Sequence, residues 1–347
     1  MGAGVLKRGR AWWVGCLWVM GLSANAQAAN ERQVTDDSGQ SVKVSAEPMR
    51  IADAWYAHHV LLMTLGAGPR IVATVNHARS QPWMFKVLPS LNQATSVEGT
   101  AFNVEGLLAD GVDLVFTATG DRQALAYQQV GLPVMRMGYT DLAGLQRAML
   151  ATAQALGGTQ PMARAEAYNQ YLNTQLTHVQ GKVSTLTTEQ RPRVLHIASV
   201  NPLKVDGSDT LIDDWIRIAG GRNAATGLTG NLQVVSAEQV LAWQPDVVIL
   251  AANAGDLSQA AQAPLLAELT AVKDGHVLRN PAGVFPWDRY GTEVALQLQW
   301  AAQQLHPRLF QSVNMLDKTA AFYQRFFDYP LSQADARLIL QGLPPSG

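Results

Sequence analysis

The chain has 347 residues, of which 48% are apolar and 15% charged, and its net charge is −1. That length suits two domains of about 130–150 residues, each large enough to bury a core of its own. The balanced charge and the lack of any basic run argue against a nucleic-acid binder, and a single cysteine, Cys16, leaves no material for a disulfide framework or a thiolate metal site.

The N-terminus reads as a cleavable signal peptide over residues 1–28. Lys7, Arg8 and Arg10 form a positive region, residues 11–22 an apolar stretch too short to span a bilayer, and Ser23-Ala24-Asn25-Ala26-Gln27-Ala28 supplies two A-x-A frames, with cleavage expected after Ala26 or Ala28. Lipidation of Cys16 fits poorly, because Trp13-Val14-Gly15 precedes it. Cleavage leaves a mature chain without cysteine.

From there the pattern alternates short strands with helices. Residues 34–44 read as a hairpin around Asp37-Ser38-Gly39, 50–54 as a buried strand, 56–65 as a helix closed by Gly66, and 71–75 as a second strand. Residues 76–85 read as a polar and aromatic loop. Glu105 then opens EGLLADGVDLVF, and Glu238 opens EQVLAWQPDVVI at an offset of 133 (238 − 105) without a gap. Both copies show an acid at a helix start, a Gly or Pro break, and Asp before an apolar strand, which points to a duplicated α/β lobe.

Between the copies lie a helix over 123–130, a strand over 133–137, a helix over 142–156, and a long helix over 162–183 capped by Thr159, with Pro161 near its start. Its length is roughly 33 Å at the usual helical rise, enough to act as a strut between lobes. A strand over 193–198, a helix over 211–219, the second copy, a helix over 264–269, a strand over 276–278 and a helix over 291–305 follow. The fold expected is α/β: an N-terminal lobe over 33–140, a helical linker over 141–190, a second lobe over 191–310, and a helical appendage over 311–347, with parallel-type sheets joined by one long α-helix.

The hairpin TDDSGQSV with Pro48-Met49-Arg50-Ile51, the two copies Asn103-Val104-Glu105 and Ser236-Ala237-Glu238, and Asp209-Thr210-Leu211-Ile212-Asp213 with Gly220-Gly221-Arg222-Asn223 together resemble a known family. It is the periplasmic solute-binding proteins of iron-siderophore, haem and cobalamin ABC importers, the class with a rigid interlobe helix. The resemblance implies a periplasmic protein that captures a metal chelate, most simply an iron-siderophore, and delivers it to a permease dimer. It implies a monomer before docking, no cofactor of its own and no reaction. Haem, cobalamin, a nickel–histidine complex or molybdate remain alternative ligands, and an exported enzyme on a similar scaffold is the alternative class.

The resemblance places the ligand cleft at loops on the C-terminal ends of the strands, as expected of open α/β sheets. The residues there are Trp55, Tyr56, His77, Arg79, Trp83, Phe102 and Arg122 in the first lobe, and Asn201, Lys204, Trp287, Arg289 and Tyr290 in the second. Aromatic faces and guanidinium groups suit a large anionic chelate. The resemblance assigns Glu105 and Glu238 to permease docking. His58 and His59 are the candidates for direct metal binding, but adjacent helical residues point about 100° apart, so one ion cannot easily take both. No P-loop, H-E-x-x-H or G-x-S-x-G is present.

Overall fold

The structure is a computed structural model that describes residues 1–4 and 31–346. Residues 5–30, with Cys16 and all but the first four residues of the expected signal peptide, lie outside the described residues. Strands β1 (Glu31–Thr35) and β2 (Ser41–Ser45) pair antiparallel, as the alternation around Asp37 predicts. They bury Val34, Val42 and Val44 on one face.

The first lobe runs β3 (Ile51–Asp53), α1 (His58–Thr64), β4 (Ile71–Thr74), α2 (Pro82–Val87), β5 (Thr95–Ser96), α3 (Val104–Ala109), β6 (Leu114–Ala118), α4 (Ala124–Gln129) and β7 (Val134–Met137). Its five strands lie in the order β5-β4-β3-β6-β7, all parallel. The segment 76–85, expected as loop, contains the start of α2. Pro82 sits in its first turn, where the missing N–H costs nothing, and Trp83, Met84 and Val87 turn inward.

Helix α5 (Leu142–Leu156) leads into α6 (Thr159–Val183), a 25-residue helix. It begins at Thr159 and not at Met162, with Gly158 as its cap. Gly157 has φ 69°, and a Cβ there would lie 1.9 Å from the Ala46 carbonyl, so only glycine lets the two helices break against the end of β2. Helix α6 buries Pro161, Ala165, Tyr168, Leu172, Gln175, Val179 and Val183, a stripe at spacings of three or four.

The second lobe contains β8 (Arg193–Val200), β9 (Leu203–Val205), α7 (Leu211–Ile218), β10 (Arg222–Asn223), β11 (Gln233–Val234), α8 (Ala237–Trp243), β12 (Val247–Leu250), α9 (Ala263–Leu266), α10 (Thr270–Lys273), β13 (Val277–Arg279) and α11 (Val294–Leu305). Its sheet order is β11-β9-β8-β12-β13, with β10 also on β8. Strands β8, β12 and β13 are parallel, whereas β9 and β11 run antiparallel to their neighbours.

The sequence repeat is a structural one. Strands β6 and β12 begin at Leu114 and Val247, again 133 apart (247 − 114). The repeated aspartates hold the start of each central strand. Asp113 accepts from the N–H groups of Met49 (2.9 Å) and Arg50 (3.0 Å), and Asp246 from that of Arg193 (2.7 Å). In return Arg50 and Arg193 donate to the carbonyls of Asp110 and Trp243, which the same offset equates. Helices α3 and α8 are capped by Asn103 and Ser236.

Helices α12 (Met315–Phe326) and α13 (Gln333–Leu340) form a strap across the molecule. Trp83 Nε1 donates to the Leu343 carbonyl (2.9 Å) and Lys86 pairs with Asp335 (3.2 Å), both on the first lobe. Arg164 of α6 reaches Asp328 (3.0 Å) and the Phe326 carbonyl (2.7 Å), and Ala282 of the second lobe donates to the Ile339 carbonyl (3.0 Å). Among the described residues no helix is long and apolar enough to cross a membrane.

Candidate functional site

The parallel strands β3, β6 and β7 all end at the junction of the lobes, so the residues that follow them line one cleft. Trp55 follows β3, Thr119 follows β6, and Gly138 and Tyr139 follow β7; Asn231 and Tyr290 face them from the second lobe. They wall a cavity of about 680 Å³. Three rings form its apolar side: Trp55 to Tyr139 at 5.5 Å between centroids, Tyr139 to Tyr290 at 5.6 Å and Trp55 to Tyr290 at 6.3 Å, all tilted. The Tyr139 hydroxyl donates to the Tyr290 carbonyl, and Asn231 Nδ2 donates to the Tyr290 hydroxyl (2.6 Å), so this ring is held from both lobes. A larger concavity, about 880 Å³, runs along the outer side of α6 by Asn169, Asn173 and His178, away from every strand end.

The hairpin tip adds a polar side. Strand β7 is the edge of its sheet, and its free N–H groups need acceptors. Asp36 accepts from Arg136 (3.1 Å) and Asp37 from Gly138 (2.9 Å), which plants Asp37 and Ser38 on the cavity wall. Burial pushes the Asp37 carboxyl up from its ordinary value, against the lowering pull of the Gly138 N–H.

Behind Tyr290 lies a buried ion cluster. His196 Nδ1 bonds Asp206 (2.8 Å) and its Nε2 bonds Asp288 (2.7 Å), while Arg289 pairs with Asp206 at 3.1 Å. The two aspartates and His196 are fully buried. Burial opposes the imidazolium, but two carboxylates outweigh it and raise the His196 pKa. Burial likewise opposes the Asp206 carboxylate, yet His196 and Arg289 hold it well below the ordinary range. Two carboxylates, one imidazolium and one guanidinium therefore balance in the interior.

In the first lobe Asp53 plays a related part. Its carboxylate bonds His58 Nδ1 (2.9 Å) and lies 3.2 Å from His59 Nδ1; His58 Nε2 meets Thr152 (3.0 Å) and His59 Nε2 meets Thr74 (2.7 Å). Both rings are fully buried with every nitrogen engaged, so His58 and His59, the candidates for metal binding, are internal braces. Burial, its largest influence, lowers the His59 pKa despite the Asp53 carboxylate. Among the described residues no three His, Cys, Asp or Glu side chains are grouped to hold an ion.

Of the twelve residues expected at the ligand, Trp55 and Tyr290 line the cavity and Arg289 lies just behind it. Trp83, Phe102 and Trp287 do not, being 2%, 5% and 0% exposed. Trp83 ties down the C-terminal segment, Phe102 sits in the first-lobe core beside Tyr127, and Trp287 Nε1 donates to Glu293 (3.1 Å). Tyr56 is 38% exposed and bonds the Gly99 carbonyl; His77 bonds the Val97 carbonyl, and Arg79 pairs with Glu98. Arg122 is exposed on the loop after β6. Asn201 staples its own loop to Gln259 and Ala261, and Lys204 lies on β9 opposite Val234. Tyr139, Asn231, Asp37, Ser38 and Arg147 line the cavity and were not expected there. Tyr139 was within reach of the strand-end rule, as it follows β7 directly.

Glu105 and Glu238 are exposed in the first turns of α3 and α8. The Glu238 carboxyl sits below its ordinary pKa, through its own backbone N–H first and the Ser236 hydroxyl second.

Two α/β lobes, one helical strut and a cleft at facing strand ends define a solute-binding protein. The sequence matches the profile of the periplasmic binding protein family over residues 54–282, more than half of the chain, and the protein belongs to that family. The molybdate-binding protein MolA of Haemophilus influenzae is 25% identical over 350 residues, covering 90% of this chain and 95% of MolA. The molybdate-bound MolA structure superposes with a TM-score of 0.77 at 20% identity, over 87% of this chain and 99% of MolA. A periplasmic solute binding protein from Veillonella parvula matches with a TM-score of 0.77 and 25% identity, over 90% and 97% of the two chains. Helicobacter pylori CeuE with bound Ni(II) matches at 0.74 and 17% identity, over 89% and 100%. The chain is thus the substrate-binding component of an ABC importer, not an enzyme, and works outside the cytoplasm with a small-molecule ligand and a cognate permease.

Proposed function

We propose that the ligand is an organic metal chelate of the iron-siderophore class, taken up between the lobes at Trp55, Tyr139 and Tyr290. The observation that carries this is the cavity, about 680 Å³ and walled on one side by three rings. That volume falls inside the roughly 300–1,000 Å³ range of small-molecule sites and far exceeds what a bare tetrahedral oxyanion fills. Rings supply apolar contact to a chelator's organic shell, which an oxyanion lacks. The full-length likeness to MolA favours a second reading, in which molybdate or a similar oxyanion is the cargo. Isothermal titration of the mature protein with ferric hydroxamate and catecholate chelates, haem, cyanocobalamin, nickel–histidine and molybdate decides between them. Submicromolar binding of a ferric chelate with none for molybdate supports the first reading, and binding of molybdate alone overturns it.

In the same proposal the chain is exported by its signal peptide, stays monomeric until it docks, and presents Glu105 and Glu238 to a permease dimer. The duplicated positions of the two glutamates support this, because a pseudo-twofold surface can meet a twofold partner with one acid per lobe.

A further inference from the structure

Three charged residues line the polar side of the cleft; Asp141 is taken up by capping α5 through the Gly144 N–H (2.6 Å), and the other two, of opposite sign, do not meet. Asp37 and Arg147 both line the cavity, one from the tip of the hairpin and one from the second turn of α5. No ion pair within 4.0 Å joins them, and Arg147 makes no hydrogen bond among the described residues. Asp37 is fixed in place, its N–H donating to the Arg136 carbonyl (3.0 Å) and its Oδ2 accepting from Gly138 (2.9 Å). Its second oxygen has no partner among the described residues. Contrast the second-lobe cluster, where each aspartate is closed onto a cation at 2.7–3.1 Å. Opposite charges that line one cavity without pairing leave room for a ligand with both a donor and an acceptor to engage each.

We infer that Asp37 and Arg147 set the charge selectivity of the cleft, Asp37 receiving a cationic or N–H-bearing part of the chelate and Arg147 an anionic one. This rests on the chelate reading above. An edge-strand cap alone would need only the oxygen that accepts from Gly138. A carboxylate on the wall also repels a purely anionic cargo, so the two residues pull in opposite directions on a simple anion.

The test uses three ferric complexes of one hydroxamate, desferrioxamine B with its free ammonium, its N-acetyl derivative and its N-succinyl derivative, together with molybdate. Each is titrated into the wild type, Asp37→Asn and Arg147→Gln, with melting curves on every variant. Asn retains an acceptor for Gly138, so folding should hold. Asp37→Asn should weaken the ammonium-ended complex about tenfold and leave the acetylated one unchanged, as expected for loss of a charge-assisted bond. Arg147→Gln should weaken the succinylated complex by a similar factor and spare the ammonium-ended one. Complexes that bind with ratios unchanged in both variants overturn the inference while the chelate reading stands. If only molybdate binds, the chelate reading falls. The charge pair then survives only if Asp37→Asn tightens molybdate and Arg147→Gln weakens it. Binding of none of the four probes by the wild type overturns both.

Discussion

Replacing Tyr323 by Phe should destabilise the protein more at pH 8 than at pH 5. Glu293 is buried under the loop that carries Tyr290, and four donors converge on it: Tyr323 Oη (2.6 Å), the Phe285 N–H (2.8 Å), Trp287 Nε1 (3.1 Å) and the Val284 N–H (3.2 Å). Gly283 leaves room for this, since a Cβ there would lie 2.0 Å from Tyr323 Oη. Burial pushes the Glu293 pKa from 4.5 up to about 7, although all four donors pull it down. A folded-state pKa above the unfolded one means the folded state holds the proton more tightly. Stability from this group is therefore complete below pH 4.5 and is lost as pH rises through about 7, by roughly 3 kcal/mol for about 2.5 units. Removing the phenol leaves the ionised carboxylate short of its closest donor. The cost is about 1.5–3 kcal/mol at pH 8, against about 0.5–1.5 kcal/mol at pH 5, where the bond is neutral. Urea unfolding of both proteins at the two pH values measures the difference, and titrations elsewhere cancel between them. An equal loss at both values would refute the argument that Glu293 ionises in place.

Arg289→Ala should act first on folding, because it leaves the buried Asp206 carboxylate without its guanidinium; a loss of about 3–5 kcal/mol in urea unfolding is expected, and a stable variant would mean the cluster is solvated. Tyr139→Ala should weaken chelate binding at least tenfold by tryptophan fluorescence, and unchanged affinity would move the ligand away from the three rings. Small-angle scattering should show a monomer whose radius of gyration changes by less than about 1 Å on ligand addition, since α6 and the strap α12–α13 both cross between lobes; a contraction of several ångströms counts against it. Glu105→Ala with Glu238→Ala should leave ligand affinity intact but reduce uptake in cells more than either change alone. Normal uptake at matched protein levels leaves the two glutamates as helix-start acids only.

Periodicity made most of the scaffold legible, because a buried parallel strand and a helix closed by Gly-Gly announce themselves locally. The repeated Asp113 and Asp246 were visible as spacing, though their task of pinning Arg50 and Arg193 needed coordinates. Strands β9 and β11 were not legible: each is two or three residues long, and their pairing depends on the turn at Asn201-Pro202. The cleft was read only partly for a different reason. Strand-end position picked out Trp55 and Tyr290, which do line the cavity, but an aromatic on such a loop can turn inward as readily as outward. Trp83 and Trp287 did so because the carbonyl of Leu343 and the carboxylate of Glu293 accept their indole N–H groups. Asp37 and Arg147 lay outside the rule altogether, on a hairpin and a helix that reach the cleft through tertiary packing.

The duplication also explains why the two walls of the cleft differ. Asp53 pairs in register with Phe116, and His196 with Ile249; the offset of 133 equates Phe116 with Ile249, so Asp53 and His196 occupy the same place in the two central strands. Each is a buried charge-bearing group, yet one is a carboxylate served by two imidazoles whose far nitrogens meet hydroxyls, the other an imidazolium served by two carboxylates. The residues the repeat keeps are those that set backbone: the caps Asn103 and Ser236, the aspartates, the arginines they hold. Those lining the cleft have no such constraint, because a twofold scaffold does not require a twofold cargo. The cavity wall carries Trp55, Tyr139 and Asp37 from the first lobe, Arg147 from α5 beside them, and Asn231 and Tyr290 from the second lobe. The cleft is thus asymmetric, while the outer surface keeps one exposed acid at the same place in each lobe.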